Sequence, residues 1–231
     1  MTTTLITGAN KGLGFETARQ LIAKGHTVYV GSRDAERGRA AAEQLGARCV
    51  QLDVTDDASV NAAATAIAAD GGLDVLVNNA GVAPEWHPTE IAVGAAKLTA
   101  GLMRETFETN VFGTVRVLHA FLPLLARSAA PVVVNVASRL ASLTQLTTGT
   151  YPGVAYPASK AAVNVLTIQY AKAFPAIRIN SVEPGFTATD LNGSTGSQSP
   201  EQGAEIIVRM ACVGPDGPTG TYVDADGPLP W

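Results

Sequence analysis

Seven short apolar runs alternate with longer stretches of helical period along this chain of 231 residues. The runs are Thr3 to Thr7, Thr27 to Gly31, Arg48 to Leu52, Asp74 to Val77, Pro131 to Ala137, Ile177 to Val182 and Gly220 to Val223. Several carry apolar residues on both faces, the pattern of strands covered on both sides. The stretches Phe15 to Lys24, Asp34 to Leu45, Asp56 to Ala69, Thr99 to Arg127 and Ala161 to Phe174 carry apolar residues at helical spacing, as does the segment after Ser199. Asp34 is placed to cap one helix and Gly46 to end it, and Gly25 to end the helix before it. Ser199-Pro200-Glu201-Gln202 has the spacing of a capping box with proline in the first turn. Strand and helix alternate almost without exception. That predicts an α/β fold: a doubly wound sheet of about seven mainly parallel strands with helices on both faces. With no repeat or linker tract, residues 1–231 read as a single domain. Pro123 should kink or break the long helix from Thr99. Pro84 to Leu98 reads as a surface loop or short helix, and Leu140 to Tyr151 as an irregular, mobile loop. Thr189 to Ser199, rich in glycine and serine, reads as a flexible lid.

Composition narrows the class of partner. Hydrophobic residues make up 46% and charged residues 16% of the chain, so it can bury a full core. A net charge of -4 offers no basic surface for nucleic acid or an anionic membrane. No apolar run approaches the ~20 residues of a membrane span. The N-terminus passes straight into a strand pattern without a basic leader, so a cytoplasmic protein is expected. Cys49 and Cys212 lie far apart and fit no metal spacing, and both are expected to be buried reduced thiols.

The first run enters Gly8-Ala9-Asn10-Lys11-Gly12-Leu13-Gly14, and a helix follows at once. Strand, glycine turn and helix form the context in which backbone amides and a helix N-terminus hold a pyrophosphate. The second strand ends at Ser32-Arg33, where a fold preferring NAD usually places an acid for the ribose hydroxyls. Arg33 and Lys11 together would suit a 2'-phosphate, so NADP(H) is the expected cofactor. Asp53, Val54, Asn79, Ala80 and Gly81 fall at strand carboxyl ends, where such sheets bind ligands. Tyr156 and Lys160 are four residues apart and share a helix face. An ammonium beside a phenol eases loss of the phenol's proton, which makes Tyr156 a candidate general acid. Asn110 is a poor residue for a helix interior, so a polar task is expected of it: holding a water or bending the helix. His87 stands alone in a loop and is expected to be outside the chemistry.

Taken together, Thr7-Gly8-x-x-x-Gly12-x-Gly14, Asn78-Asn79-Ala80-Gly81, Asn110, Ser138, Tyr156-x-x-x-Lys160 and Pro184-Gly185-x-Thr187 run in one order along nearly the whole chain. The sequence resembles the short-chain dehydrogenase/reductases, a single-domain Rossmann-type family, and within it the NADPH-dependent carbonyl reductases. The resemblance implies hydride transfer to a ketone, aldehyde or quinone. Tyr156 would be the acid, Lys160 would tune it and bind the nicotinamide ribose, and Ser138 would orient the carbonyl. Asn110 would hold a relay water. Asp53 and Val54 would contact adenine, Asn79 the adenosine ribose, Thr187 the carboxamide, and Lys11 with Arg33 the 2'-phosphate. Seventeen residues separate Ser138 from Tyr156, more than the family commonly has, so Ser142 competes for the serine's place. The extra residues, Thr144 to Tyr151, would lie beside the substrate. Ala83, Pro84, Leu140, Leu146, Tyr151, Phe186 and Leu191 are the expected pocket lining. A homo-dimer or homo-tetramer is the expected assembly. Two other functions fit the same motifs: reduction of 3-oxoacyl groups on a carrier protein, and NADP sensing without turnover.

Overall fold

The computed structural model describes residues 2–86 and 93–231. The strands are β1 (Thr3–Thr7), β2 (Thr27–Ser32), β3 (Arg48–Gln51), β4 (Val75–Asn78), β5 (Val132–Val136), β6 (Arg178–Val182) and β7 (Tyr222–Val223). They pair in the order β3-β2-β1-β4-β5-β6-β7, and every pairing is parallel. Chain order reverses between β1 and β4, so the crevice of this doubly wound sheet opens beyond the carboxyl ends of those two strands.

Side-chain alternation assigns each helix its face. Leu5, Tyr29, Leu76, Val133 and Ile179 point to one side and meet α3 (Asp57–Ala69), α5 (Gly113–Leu125) and α7 (Ala155–Ala173). Ile6, Val28, Val30, Val77 and Val134 point to the other and meet α1 (Gly12–Ala23), α2 (Ala35–Leu45) and α8 (Pro200–Ala211). Full burial of side chains such as Leu5, Ile6, Leu21, Phe121 and Ile179 contributes about 1.5–3 kcal/mol apiece. Asp34 caps α2 by accepting from the amides of Glu36 and Arg37. The capping box of Ser199 and Gln202 starts α8, as its spacing predicts.

Three local features depart from the sequence reading. The helix expected over Thr99 to Arg127 is three pieces: α4 (Ala100–Phe107), a π-helical turn (Glu108–Phe112) and α5. The break falls at Asn110, and the helix continues through Pro123 to Leu125. The stretch Leu140 to Tyr151 contains a 3₁₀ turn over Arg139–Ala141 and a short helix, α6 (Leu143–Leu146), capped by Ser142. Both cysteines are free, but Cys49 is half-buried and Cys212 exposed. Cys49 sits on an edge strand, packed on one side against α2, and Cys212 just past the end of α8. His87 lies outside the described residues.

Candidate active site

The candidate side chains stand on the loops that leave β1 to β6, on the π-helical turn and on α7. Gly8 and Gly12 adopt left-handed backbone with φ of 65° and 55°, and turn the chain into α1. Asn79 braces that turn. Its amide group donates to the carbonyls of Thr7 at 2.8 Å and Gly8 at 3.2 Å. The Thr7 hydroxyl in return accepts from the amides of Asn79 and Ala80, both at 3.0 Å. A methyl on Gly14 would sit 2.5 Å from the Asn79 amide nitrogen, so only glycine fits. Lys11, at the N-cap of α1, supplies no side-chain cap, and the first turn holds no acid. The uncapped N–H groups and the positive helix end fit a pyrophosphate.

The two cations expected to meet a 2'-phosphate differ in their surroundings. Arg33 is exposed, and its guanidinium has no partner among the described residues. Asp34, the next residue, is turned into its own helix as the cap of α2. Lys11 is paired with Asp190 at 2.7 Å, both largely exposed, so the loop after β6 reaches the glycine turn. The Asp53 carboxylate accepts from the amide and hydroxyl of Thr55 at 2.9 and 2.7 Å. Val54 is buried against Gly113, where a methyl would overlap it.

Tyr156 and Lys160 sit in the first turns of α7. The lysine Nζ stands 5.7 Å from the center of the tyrosine ring and donates to the carbonyl of Val136 at 2.7 Å. Burial lowers the Lys160 pKa to about 8. Burial pushes the Tyr156 phenol up to about 12; the Ser138 hydroxyl, facing it as a hydrogen-bonding group, pulls the other way, and the charges of Glu183 and Glu85 add to the rise. Ser138 stands two residues past the end of β5, on the side of Tyr156. Ser142 is fully buried, caps α6 and also bonds the carbonyl of Trp231. The backbone of Ser138 is itself held: Tyr222, 2% exposed, donates to its carbonyl at 2.6 Å.

Asn110 works across the crevice. Its side chain accepts from the amide of Val82 at 2.8 Å and donates to the carbonyl of Val82 at 2.9 Å and to the hydroxyl of Ser159 at 3.0 Å. A methyl on Gly81 would lie 3.4 Å from Asn110 Oδ1 and 3.5 Å from Lys160 Nζ, so the three form one contact. After β6, Gly185 has φ of 81°. The Thr187 hydroxyl lies within reach of the Pro184 and Gly185 carbonyls at 3.2 and 3.1 Å and accepts from Gln198 at 2.9 Å. Asn10, Ala80 and Pro184 lie on the same loops and Leu13 in the first turn of α1, and all four are half-buried.

Two residues escaped the sequence reading. Trp86 stacks on Tyr151 with ring centers 6.1 Å apart and meets the edge of Phe186 at 6.3 Å, making an aromatic wall from three separate loops. Glu85 is 1% exposed and accepts four hydrogen bonds at the start of α7. Its signal in the sequence was faint: one acid directly after Val82-Ala83-Pro84, in a segment read as surface loop.

A parallel sheet with a braced glycine turn at its switch point, facing a tyrosine and a lysine on the neighboring helix, defines an oxidoreductase of the nicotinamide-nucleotide class. The family model described as short chain dehydrogenase matches residues 2–200, and the chain belongs to that family. A (+)-neomenthol dehydrogenase of Capsicum annuum is 32% identical, with 94% of each chain covered. That alignment runs over 294 positions, so the relative carries insertions that this shorter chain lacks. A salutaridine reductase of Papaver bracteatum is 31% identical, covering 95% of this chain and 93% of its own. Among solved structures, salutaridine reductase of Papaver somniferum superposes with a TM-score of 0.85 at 29% identity, covering 96% of this chain and 99% of its own. No helix among the described residues is long and apolar enough to cross a membrane.

Proposed function

We propose that this protein is an NADPH-dependent reductase of ketones, with Tyr156 as the proton donor. The observation that carries the reading is the pairing of Tyr156 with Lys160 in the first turns of α7, the Nζ 5.7 Å from the ring center, on the side of Ser138 and of the wall of Trp86, Tyr151 and Phe186. The bound nucleotide would supply a hydride to the carbonyl carbon. Tyr156 gives its phenolic proton to the carbonyl oxygen, and Ser138 holds that oxygen by a hydrogen bond as charge develops on it. Lys160 has one N–H on Val136 and two left for the ribose and for the proton that replaces the tyrosine's. Glycines 8, 12 and 14 and the N-terminus of α1 hold the pyrophosphate, and Asp53, Val54 and Asn79 border the adenosine. Arg33, without a partner for its guanidinium among the described residues, and Asp34, engaged as a cap, support the 2'-phosphate reading. The aromatic wall favors a carbonyl on a bulky apolar ring system, in keeping with the names of the neomenthol and salutaridine relatives.

The test is consumption of NADPH and NADH by the purified protein over a panel of cyclic ketones, aldehydes and quinones. Turnover with NADPH on cyclic ketones, lost by about 10²-fold or more in Tyr156→Phe, is the expected result. Turnover preferring NADH would remove the 2'-phosphate assignment. Cofactor binding without turnover would favor the sensing role.

A further inference from the structure

Glu85 is the one carboxylate buried at the start of the helix that carries Tyr156 and Lys160, among the described residues. One oxygen accepts from the Tyr151 hydroxyl and the Tyr156 amide, both at 3.1 Å. The other accepts from the amides of Ala155 at 2.7 Å and Val154 at 3.3 Å. Val154, at the N-cap of α7, offers no side chain to these amides, so the cap comes from the loop after β4 instead. Gly153 leaves the space: a methyl there would overlap both the Glu85 carboxylate and the Tyr151 ring.

We infer that Glu85 is a positioning residue for the proton-donating tyrosine: its carboxylate clamps the first turn of α7 to the loop after β4 and to Tyr151, and so holds Tyr156 toward Ser138. This rests on the reading of Tyr156 as the acid. It also assigns a task to the extra residues between Ser138 and Tyr156, since Tyr151 at their end donates into the clamp. The charge has a second consequence. Tyr156 is faced by Ser138 from β5, Glu183 from the end of β6, Tyr222 from β7, Tyr151 from the preceding loop and Lys160 from its own helix. Among them the charges of Glu183 and Glu85 both oppose loss of the phenolic proton.

The experiment is the pH profile of kcat for ketone reduction, with NADPH affinity and circular dichroism as controls, in the parent, Glu85→Gln, Tyr151→Phe and Tyr156→Phe. Glutamine keeps the size but can accept with only one of its two heads and carries no charge. Glu85→Gln is expected to lose about tenfold in kcat with NADPH affinity within about twofold. Reduction needs the protonated phenol, so removing the charge should also move the basic limb of the profile to lower pH. Tyr151→Phe removes one donor and keeps the charge; it should lower kcat by a few-fold and leave the basic limb at or above the parent's. A folded Glu85→Gln with the parent's kcat and profile overturns the inference. Should Glu85→Gln not fold, unchanged kcat and profile in Tyr151→Phe overturn it equally. Full activity in Tyr156→Phe would instead strike the acid reading itself, a result distinct from either.

Discussion

Tyr156 and Lys160 are driven in opposite directions by the same burial. Each is disfavored in its charged form: the phenol rises to about 12 and the ammonium falls to about 8. Between about pH 8 and the ordinary lysine value of 10.5, the unfolded chain holds a proton that folded Lys160 has released. Stability from this group therefore rises with pH across that window and is at its lowest below it. Between 10.0 and about 12, folded Tyr156 keeps a proton that the unfolded chain has lost, so its contribution falls as pH rises. Urea unfolding of the nucleotide-free protein at about pH 7 and about pH 9 should show a gain on the order of 1 kcal/mol from Lys160. Lys160→Met, which keeps the length and removes the titration, should lack that gain. An equal gain in the variant would assign the pH dependence to another group.

At the scale of elements, the π-helical turn over Glu108–Phe112 is held by side-chain bonds to another loop. Asn110 satisfies both backbone groups of Val82, and Thr114 donates to the Asn110 carbonyl at 2.8 Å. Asn110→Ala would orphan the Val82 amide and carbonyl and should lower the unfolding free energy by about 1–3 kcal/mol. Its loss of activity should exceed that of an equally destabilizing change in α3, because Gly81 and Lys160 share the contact. The glycine turn makes a second test. Gly14→Ala places a methyl against the Asn79 amide, so nucleotide affinity measured by calorimetry should fall at least about tenfold. Capping was readable from short spacing alone, and Asp34, Gly46 and Ser199 all stand where the spacing puts them. Asn110 marked the place of a bend, but the π turn's partner was not readable, because nothing within residues 108–112 signals that it lies 28 residues upstream.

At the scale of the whole molecule, the pair of Lys11 and Asp190 joins the glycine turn to the loop after β6 across 179 residues. Both partners are exposed, so the pair is weak and salt-sensitive. A 2'-phosphate at Arg33 would compete with Asp190 for the lysine. Asp190→Asn should then tighten NADPH binding by a few-fold and leave NADH binding nearly unchanged. Arg33→Ala should weaken NADPH binding by about tenfold and spare NADH. Fluorescence titration with both nucleotides checks the two together. Equal effects on NADPH and NADH would place these side chains away from the 2'-phosphate.

What the chain determined by itself is whatever depends on period and neighbors. Seven apolar runs, the capping residues, the glycine turn and the four-residue step from Tyr156 to Lys160 dictate the α/β alternation and bring the site loops to one edge of the sheet. Such signals are local, because strand burial, capping and helix faces act within a few residues. Tertiary structure alone set Ser138 toward Tyr156 and Ser142 at the cap of α6. It alone turned Asn110 toward Val82, placed Trp86 over Tyr151 and buried Glu85 beneath the first turn of α7. Each of these joins positions far apart in the chain, and no periodicity in a single sequence records which distant amide a side chain will satisfy.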